Sequence, residues 1–372
     1  NPSTKMKIIG VTGTSGKTTT TTLLYKIATA LGYKAGLIGT VENMIAGERV
    51  LTPENMAQTT PGTIFLYKLL NKMAEHGCQY VFMEVSSHAL DQDRVAGINF
   101  TGGVFTNLSQ DHFDYHKNFE NYFTAKRKLF RMLGSDAFAL SNTDDEYGRR
   151  ILEDTKAQKY TYGFTGTVDF SEKLETSLLG HFNEYNSLGA FATATLLGWD
   201  KEKVKEILKT ITPPRGRFEQ FKAPNGVLVI VDYAHKPDAV EKVLNAVKST
   251  KPLGKIISLL GCGGNKDKLK RPIMGKITAH ISDISIFTSD NPRDEEPEAI
   301  IEEMKKDLSV DEAQKVVSIT DRHAAILEAT RVAKSGDIII AMGKGHEDYQ
   351  EVKGVRTHFD DMEEFKKAFQ LN

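Results

Sequence analysis

Short apolar runs, each closed by Gly, Asn, Asp, Ser or Thr, alternate along this chain with longer stretches whose apolar residues recur at helical spacing. That alternation is how βαβ units around a mostly parallel sheet read. A strand buried on both faces is a continuous apolar run, while its crossover helix shows one apolar stripe. The pattern predicts strands over Lys7–Thr12, Tyr80–Val85, Gly103–Thr106 and Ala137–Ser141, with helices over Thr18–Leu31 and Thr63–His76. A second series follows, with strands over Val227–Asp232, Lys255–Gly261, Ile284–Ser289 and Asp337–Gly343 and helices over Ala239–Ser249, Glu298–Leu308 and Asp321–Ala333. Between the two series, Thr212-Pro213-Pro214-Arg215-Gly216-Arg217 cannot continue a helix and permits a hinge. The expected fold is α/β: a central domain with a parallel sheet over 1–212, and a Rossmann-like α/β domain over 213–372.

Length agrees with that division, because 372 residues suffice for two domains with separate cores. With 48 Lys+Arg against 49 Asp+Glu the formal charge is −1, so no global basic field points to nucleic acid or an anionic membrane. Any phosphate must be held by local geometry. Cys78 and Cys262 stand far apart in the sequence and in no metal-ligand spacing, so neither a disulfide framework nor a zinc site is suggested, and the expected compartment is reducing and cytoplasmic. No apolar run has the length of a membrane helix, and the first residues lack the apolar core of a signal peptide.

The first predicted strand runs directly into Gly13-Thr14-Ser15-Gly16-Lys17-Thr18-Thr19, and a helix begins at once. Glycines at such a junction let backbone N–H groups close on phosphate oxygens, and the helix N-terminus adds partial positive charge. Lys17 reaches the outer phosphates and Thr18 can hold Mg²⁺. Val11 stands where the generic GxxxxGK[ST] spelling starts with glycine, so the match rests on Gly-Lys-Thr at a strand-to-helix turn. The central domain is therefore expected to be of the P-loop ATPase type; the competing reading is a glycine-rich turn that binds nothing. Spacing alone also leaves alternatives open elsewhere. Glu84 and His112 are metal ligands or ordinary strand-end residues, and Lys126 is functional or one member of a basic solvated helix face.

GTSGKTT after an Ile-Ile-Gly-Val-Thr strand resembles the phosphate loop of the Mur ligase family. The likeness continues through Tyr80–Leu90, Val104–His116, Asn142–Arg149, Leu179–Asn186, Val231–Asp238, Gly261–Pro272, Asp290–Arg293 and Gly343–Gln350, in that family's order. The resemblance implies an ATP- and Mg²⁺-dependent amide-bond ligase that activates a carboxylate as an acyl phosphate. It is closest to the branch that adds a diamino acid, meso-diaminopimelate, to a muramyl-dipeptide acceptor of peptidoglycan synthesis. It further implies Thr18, Glu84, His112 and Lys126 as the metal set, with Lys126 carbamylated by CO₂ so that its charge is reversed. Gly13, Thr14, Gly16, Lys17, Thr18 and Thr19 take the phosphates, Asn183 and Asn186 the adenine, and Arg217, Asp232 and His235 the second domain's share of the nucleotide. Thr59, Thr60, Ser86, Gln92 and Arg94 match positions facing the acceptor, with Arg94 able to clamp an anion. Arg271, Asp290, Asn291, Arg293, Gly343 and Glu347 match positions facing the amino acid, where the Arg293 fork suits the distal carboxylate of diaminopimelate.

Two regions depart from the family's pattern. The uridine-nucleotide domain that usually precedes the phosphate loop does not appear, and the segment Phe164–Leu178 stands where relatives carry a longer insert. These departures lead us to expect an acceptor without the UDP handle, or a separate UDP-binding chain. The other functions weighed are a Mur-like ligase acting on a specialised metabolite, folylpolyglutamate-type ligation, and a nucleotide-binding partner without catalysis.

Overall fold

The computed structural model describes residues 1–51, 58–250 and 252–371. The chain divides into two compact units, Asn1–Thr212 and Pro213–Asn372. Among the described residues no helix is long and apolar enough to cross a membrane.

Unit 1 is built on strands β1 (Lys7–Thr12), β2 (Ala35–Ile38), β3 (Asn43–Ile45), β4 (Glu48–Val50), β5 (Tyr80–Glu84), β6 (Phe100–Phe105), β7 (Phe138–Asn142) and β8 (Gln158–Tyr162). They form one sheet in the order β4-β3-β2-β5-β1-β6-β7-β8, parallel except for the β2-β3 and β3-β4 pairs. Helices α1 (Lys17–Ala30), α2 (Thr63–Glu75), α3 (Ser87–Asp91), α4 (Phe113–His116), α5 (Phe119–Met132), α6 (His181–Leu196) and α7 (Lys201–Thr210) complete the unit. Strand residues alternate between two cores. Ile8, Val81 and Met83 belong to one face, and Ile9, Val11, Tyr80 and Phe82 to the other, as the pleat requires. β5 and β6 flank β1 on opposite sides, so the chain order reverses there and leaves a crevice at the carboxyl edge. Register sets what lines it: Val11 lies beside Glu84, and Thr12 beside Phe105.

Unit 2 has strands β9 (Glu219–Lys222), β10 (Leu228–Asp232), β11 (Ile256–Leu260), β12 (Ile284–Phe287), β13 (Val316–Ser318) and β14 (Ile338–Met342), ordered β13-β12-β11-β14-β10-β9 with only β9 antiparallel. A hairpin, β15 (Tyr349–Val352) with β16 (Val355–His358), stands apart. The helices are α8 (Pro237–Ser249), α9 (Lys270–Ile281), α10 (Pro297–Lys305), α11 (Val310–Gln314), α12 (Arg322–Val332) and α13 (Asp361–Ala368). Asp232, Met342, Leu260 and Phe287 end their strands level with one another. The loops opening at Tyr233, Gly343, Gly261 and Thr288 therefore share one edge.

The predicted strands and helices are all present, with ends displaced by a few residues at most. Two kinds of element stand out among those that the apolar pattern did not mark. β3, β4, β9, β15 and β16 are short or partly exposed, so they carry mixed polarity. α6 is apolar or small on nearly every face, because it is buried in the second core of unit 1.

Candidate active site

The loop between β1 and α1 is shaped by two glycines. At Gly13 (φ 153°) a Cβ would lie 1.9 Å from Thr106 Oγ1, and at Gly16 (φ 87°) 2.4 Å from Asn186 Oδ1, so no side chain fits either place. α1 begins at Gly16 without a side-chain cap, leaving its first N–H groups directed into the loop. The loop is laced to the segment after β6. Thr14 N donates to Asn107 O (2.8 Å), Ser15 N to Asn107 Oδ1 (3.0 Å), and Thr106 Oγ1 to Ser15 O (2.6 Å). Lys17 Nζ donates to the carbonyls of Gly13 (2.8 Å) and Thr14 (2.9 Å), across the loop's mouth. Thr18 and Thr19 are buried behind it. A cradle that only glycine allows, an uncapped helix start and a lysine at its rim fit a polyphosphate.

α5 delivers Lys126 to the same loop. Its Nζ donates to Gly13 O at 2.8 Å and lies 4.3 Å from the Tyr122 ring centroid, and the residue is 1 % exposed. The solvated-face reading is thereby corrected: of the two lysines on this helix, it is the half-buried Lys128 that reaches the surface, where it pairs with Asp91. Tyr122 OH in turn meets Thr14 Oγ1 at 3.2 Å, and burial raises its pKa, keeping the phenol neutral. Glu84 is buried at the end of β5, its carboxylate accepting from Thr40 N (2.8 Å) and Thr40 Oγ1 (3.1 Å). His112 takes a left-handed backbone (φ 54°), its Nε2 stands 3.3 Å from Asp111 Oδ2, and the His88 ring meets it edge-on at 4.7 Å. Burial lowers the pKa of His88 and favours the neutral ring.

Among the described residues no three His, Cys, Asp or Glu side chains gather as a preformed metal cage. Mg²⁺ is commonly held by one or two protein carboxylates together with substrate phosphates and water, so Thr18 and Glu84 suit it without a cage.

The acceptor-facing residues form one connected group. Thr60 Oγ1 donates to Glu84 O (2.8 Å) and accepts from Ser86 N (2.9 Å), the Thr40 and Thr59 hydroxyls meet at 3.0 Å, and Ser86 caps α3. Gln92 Oε1 accepts from Arg94 Nε (2.8 Å), and Arg94 Nη1 donates to Thr60 O (3.1 Å) and to Gln58. Arg94 is thus already held by neutral oxygens, with no carboxylate partner among the described residues. Asn186 Nδ2 donates to Asn183 Oδ1 (3.0 Å) and Asn183 Nδ2 to Leu179 O (2.8 Å). Of this pair, Asn186 reaches the phosphate loop and Asn183 braces it from behind.

In unit 2, Asp232 accepts from Phe218 N and Ala234 N, both at 2.8 Å, and burial raises its pKa against the lowering influence of Arg217. Arg217 lies over the Tyr233 ring at 4.9 Å. His235 Nδ1 donates to Tyr233 O (2.7 Å), and burial lowers its pKa to about 4. Asn291 Nδ2 donates to Glu347 Oε2 (2.7 Å), joining the Asp290–Arg293 turn to the loop after β14. Burial, then the Asp290 carboxylate, raises the Glu347 pKa. Arg293 projects from a left-handed position (φ 52°) with Nη1 on Gly264 O (2.9 Å), and no carboxylate pairs with it among the described residues.

Arg271 is placed otherwise than expected. At 0 % exposure its Nη1 binds Glu295 (2.9 Å) and Glu303 (2.7 Å), and its Nη2 binds Glu295 (2.9 Å) and Gly263 O (3.1 Å). A buried guanidinium must be neutralised, and these two carboxylates do so, which leaves Arg271 supporting the Gly263 loop instead of facing solvent. Sequence reasoning passed over Thr40, Thr106, Asn107 and Tyr122, which orient the expected residues. Thr106 and Asn107 lay inside the quoted Val104–His116 stretch, but nothing in their spacing singled them out.

A phosphate loop of this build at the crevice of a parallel sheet defines a P-loop nucleotide-dependent enzyme. Residues 11–194 match the Mur ligase middle domain and residues 216–345 the Mur ligase glutamate ligase domain. The chain belongs to the Mur ligase family, and it is an ATP-dependent, ADP-forming ligase. It is 48 % identical to the UDP-N-acetylmuramoyl-L-alanyl-D-glutamate--2,6-diaminopimelate ligase of Cytophaga hutchinsonii, over 97 % of this chain and 77 % of that protein. To the enzyme of the same name from Parabacteroides distasonis it is 47 % identical, over 99 % of this chain and 79 % of that one. A solved structure of a ligase of that name superposes with TM-score 0.71 at 33 % identity, covering 98 % of this chain and 78 % of the other. These relatives are single chains named for a UDP-linked acceptor, so the expected separate UDP-binding chain finds no support, and the alternatives of an acceptor without UDP, a specialised metabolite and a non-catalytic partner are not favoured.

Proposed function

We propose that the chain joins meso-diaminopimelate to the free carboxylate of UDP-N-acetylmuramoyl-L-alanyl-D-glutamate, with ATP as the energy source, in the cytoplasm. The observation that carries the amino-acid assignment is Arg293, a guanidinium held at a loop edge by carbonyls alone, ready for a carboxylate from a ligand. The names borne by the relatives support the acceptor.

In the reaction, an acceptor carboxylate oxygen attacks the γ-phosphorus, the bridging P–O bond breaks and ADP leaves. The amine nitrogen then attacks the acyl phosphate carbon, loses a proton, and phosphate departs. Lys17 and the α1 N-terminus stabilise the charge spreading on the phosphoryl oxygens. Mg²⁺, when bound, neutralises charge between the phosphates, and Thr18, Glu84, His112 and Lys126 are the residues we assign to hold it. A Lys126 ammonium would oppose that cation. Reaction of the neutral amine with CO₂, with loss of a proton, makes a carbamate, and the burial of Lys126 beside Gly13 supports this assignment by putting the new anion where the metal is needed. Thr40 and Thr60 orient Glu84, and Gln92 with Arg94 orders the acceptor side.

Phosphate release with meso-diaminopimelate, lysine and glutamate, each offered with the UDP-linked dipeptide or the same muramyl dipeptide without UDP, tests the proposal. Turnover should be greatest for meso-diaminopimelate with the UDP-linked acceptor, and an equal rate with lysine would reject the amino-acid assignment.

A further inference from the structure

Arg322 begins α12 and is wholly buried, as is Asp361 at the start of α13. The two form a bidentate pair, Nε to Oδ1 at 2.7 Å and Nη2 to Oδ2 at 2.6 Å. Two further donations leave this guanidinium: Nη1 to Ser289 O at 3.3 Å and Nη2 to Met342 O at 3.4 Å. Those carbonyls stand where the chain leaves β12 and β14. Ser289 precedes Asp290-Asn291-Pro292-Arg293, and Met342 precedes Gly343 and the loop carrying Glu347. β12 and β14 are not neighbours: each pairs with β11, so no ladder hydrogen bond joins them directly. The Arg322 side chain spans that gap and bonds the chain leaving each strand.

The loops so tethered meet closely. A Cβ on Gly343 would lie 2.7 Å from Asp290 Oδ2, an oxygen with no hydrogen-bond partner among the described residues. Asn291 joins Glu347 directly, Gln350 Nε2 donates to Asp290 O (2.9 Å), and Glu351 N donates to Asn291 Oδ1 (2.9 Å). Spacing errors at the strand ends would pass straight to Arg293 and Glu347. A lysine at 322 could neutralise Asp361 but could not present a planar fork to it while donating to two separated carbonyls.

We propose that the Arg322–Asp361 pair is a positioning element for amino-acid specificity: it sets the separation of the Asp290–Arg293 turn and the Gly343–Glu347 loop, and through it the preference for a two-carboxylate diamino acid. This rests on the assignment of those loops to the amino acid. Neither residue touches substrate. Asp361 neutralises the guanidinium and aims it, and the carbonyl contacts transmit the position.

The test compares Arg322→Lys with the double variant Arg322→Met/Asp361→Leu in the whole chain. Replacing a buried ion pair with apolar side chains of similar volume often leaves stability unchanged or improved, so the double variant separates the tethers from the fold. Both variants should raise KM for diaminopimelate by about tenfold or more and lower the diaminopimelate-to-lysine ratio of kcat/KM by a similar factor, while KM for ATP moves by less than about twofold. A double variant with native melting temperature and unchanged amino-acid preference overturns the proposal, as does a uniform loss that spares the ratio. If both variants melt early, the unmutated chain decides by hydrogen exchange. Diaminopimelate should slow exchange in 290–293, 343–347 and the first turns of α12 and α13 together, and protection confined to the two loops overturns it. Failure of the underlying assignment looks different: Arg293→Ala would then leave the amino-acid preference intact.

Discussion

Lys126 Nζ donates to the carbonyl of Gly13 at 2.8 Å, tying a helix side chain to the first residue of a phosphate loop 113 positions earlier. Charge placed on Lys126 is therefore charge placed at the phosphate site. With a carbamate there, Lys126→Ala removes a metal ligand and should lower coupled turnover by about two to three orders of magnitude. Added short-chain carboxylates such as acetate should partly restore it, because an external anion can enter the space vacated. Labelling the active enzyme with isotopic CO₂ provides the direct measurement. Full activity with unmodified Lys126 would contradict the assignment.

Lys17 Nζ donates to the carbonyls of Gly13 and Thr14 at the head of α1, where the outer phosphates would lie. Lys17→Ala is expected to melt within a few degrees of the parent and to lose about a hundredfold or more in ATP hydrolysis coupled to ligation. Near-normal coupled turnover would remove the phosphate loop from the mechanism.

How far these sites could be read from the chain alone depended on what each residue type discloses. β1 and β10 announced themselves because both faces are buried and their middle positions form continuous apolar runs, and Gly13 and Gly16 stand where a loop must admit phosphate. Lys126 was opaque. In Tyr122–Phe130 three basic residues occur in a row, and only the packing of α5 shows that Lys126 is buried while Lys128 is not. Arg271 was expected to face the amino acid only because it matches a position of the resembling family. Its partners Glu295 and Glu303 lie 24 and 32 positions later, and nothing in the chain's spacing announces the pairing. Arg322 disclosed nothing, since its partners Asp361, Ser289 and Met342 meet it only through the tertiary fold.

His235 sets a pH dependence of stability. Its Nδ1 must carry the proton, because the Tyr233 carbonyl can only accept, and burial of the ring lowers its pKa from 6.5 to about 4. Between those values the unfolded chain binds a proton that the folded chain refuses. Stability from this group is thus fully present above about pH 6.5 and declines as pH falls towards 4, with the slope that proton linkage dictates. Denaturant titrations of the parent and His235→Gln at several pH values should show a shallower decline for the variant over this window. Parallel curves would show that the imidazole titrates alike in both states.

Arg293 gives the sharpest prediction because its geometry isolates one ligand group. Its backbone is held by two neighbours, Arg293 N donating to Glu351 O (3.1 Å) and Lys353 N to Arg293 O (2.7 Å), so the turn survives when the side chain is shortened. Meso-diaminopimelate and lysine share the reacting amino acid end and the distal amine, and differ in the second carboxylate. A forked, charge-assisted contact to that carboxylate is worth several kcal/mol when water is excluded, so the parent should prefer meso-diaminopimelate by roughly a hundredfold or more in kcat/KM. In Arg293→Ala the preference should collapse through loss of diaminopimelate turnover, with lysine turnover and KM for ATP little changed. Arg293→Lys should recover only part of it, since an ammonium offers charge without the fork. Competition between the two amino acids in one assay, read by product mass, measures the ratio directly. A preference that persists in Arg293→Ala would mean that another group reads the distal carboxylate, and the assignment of this turn would fall.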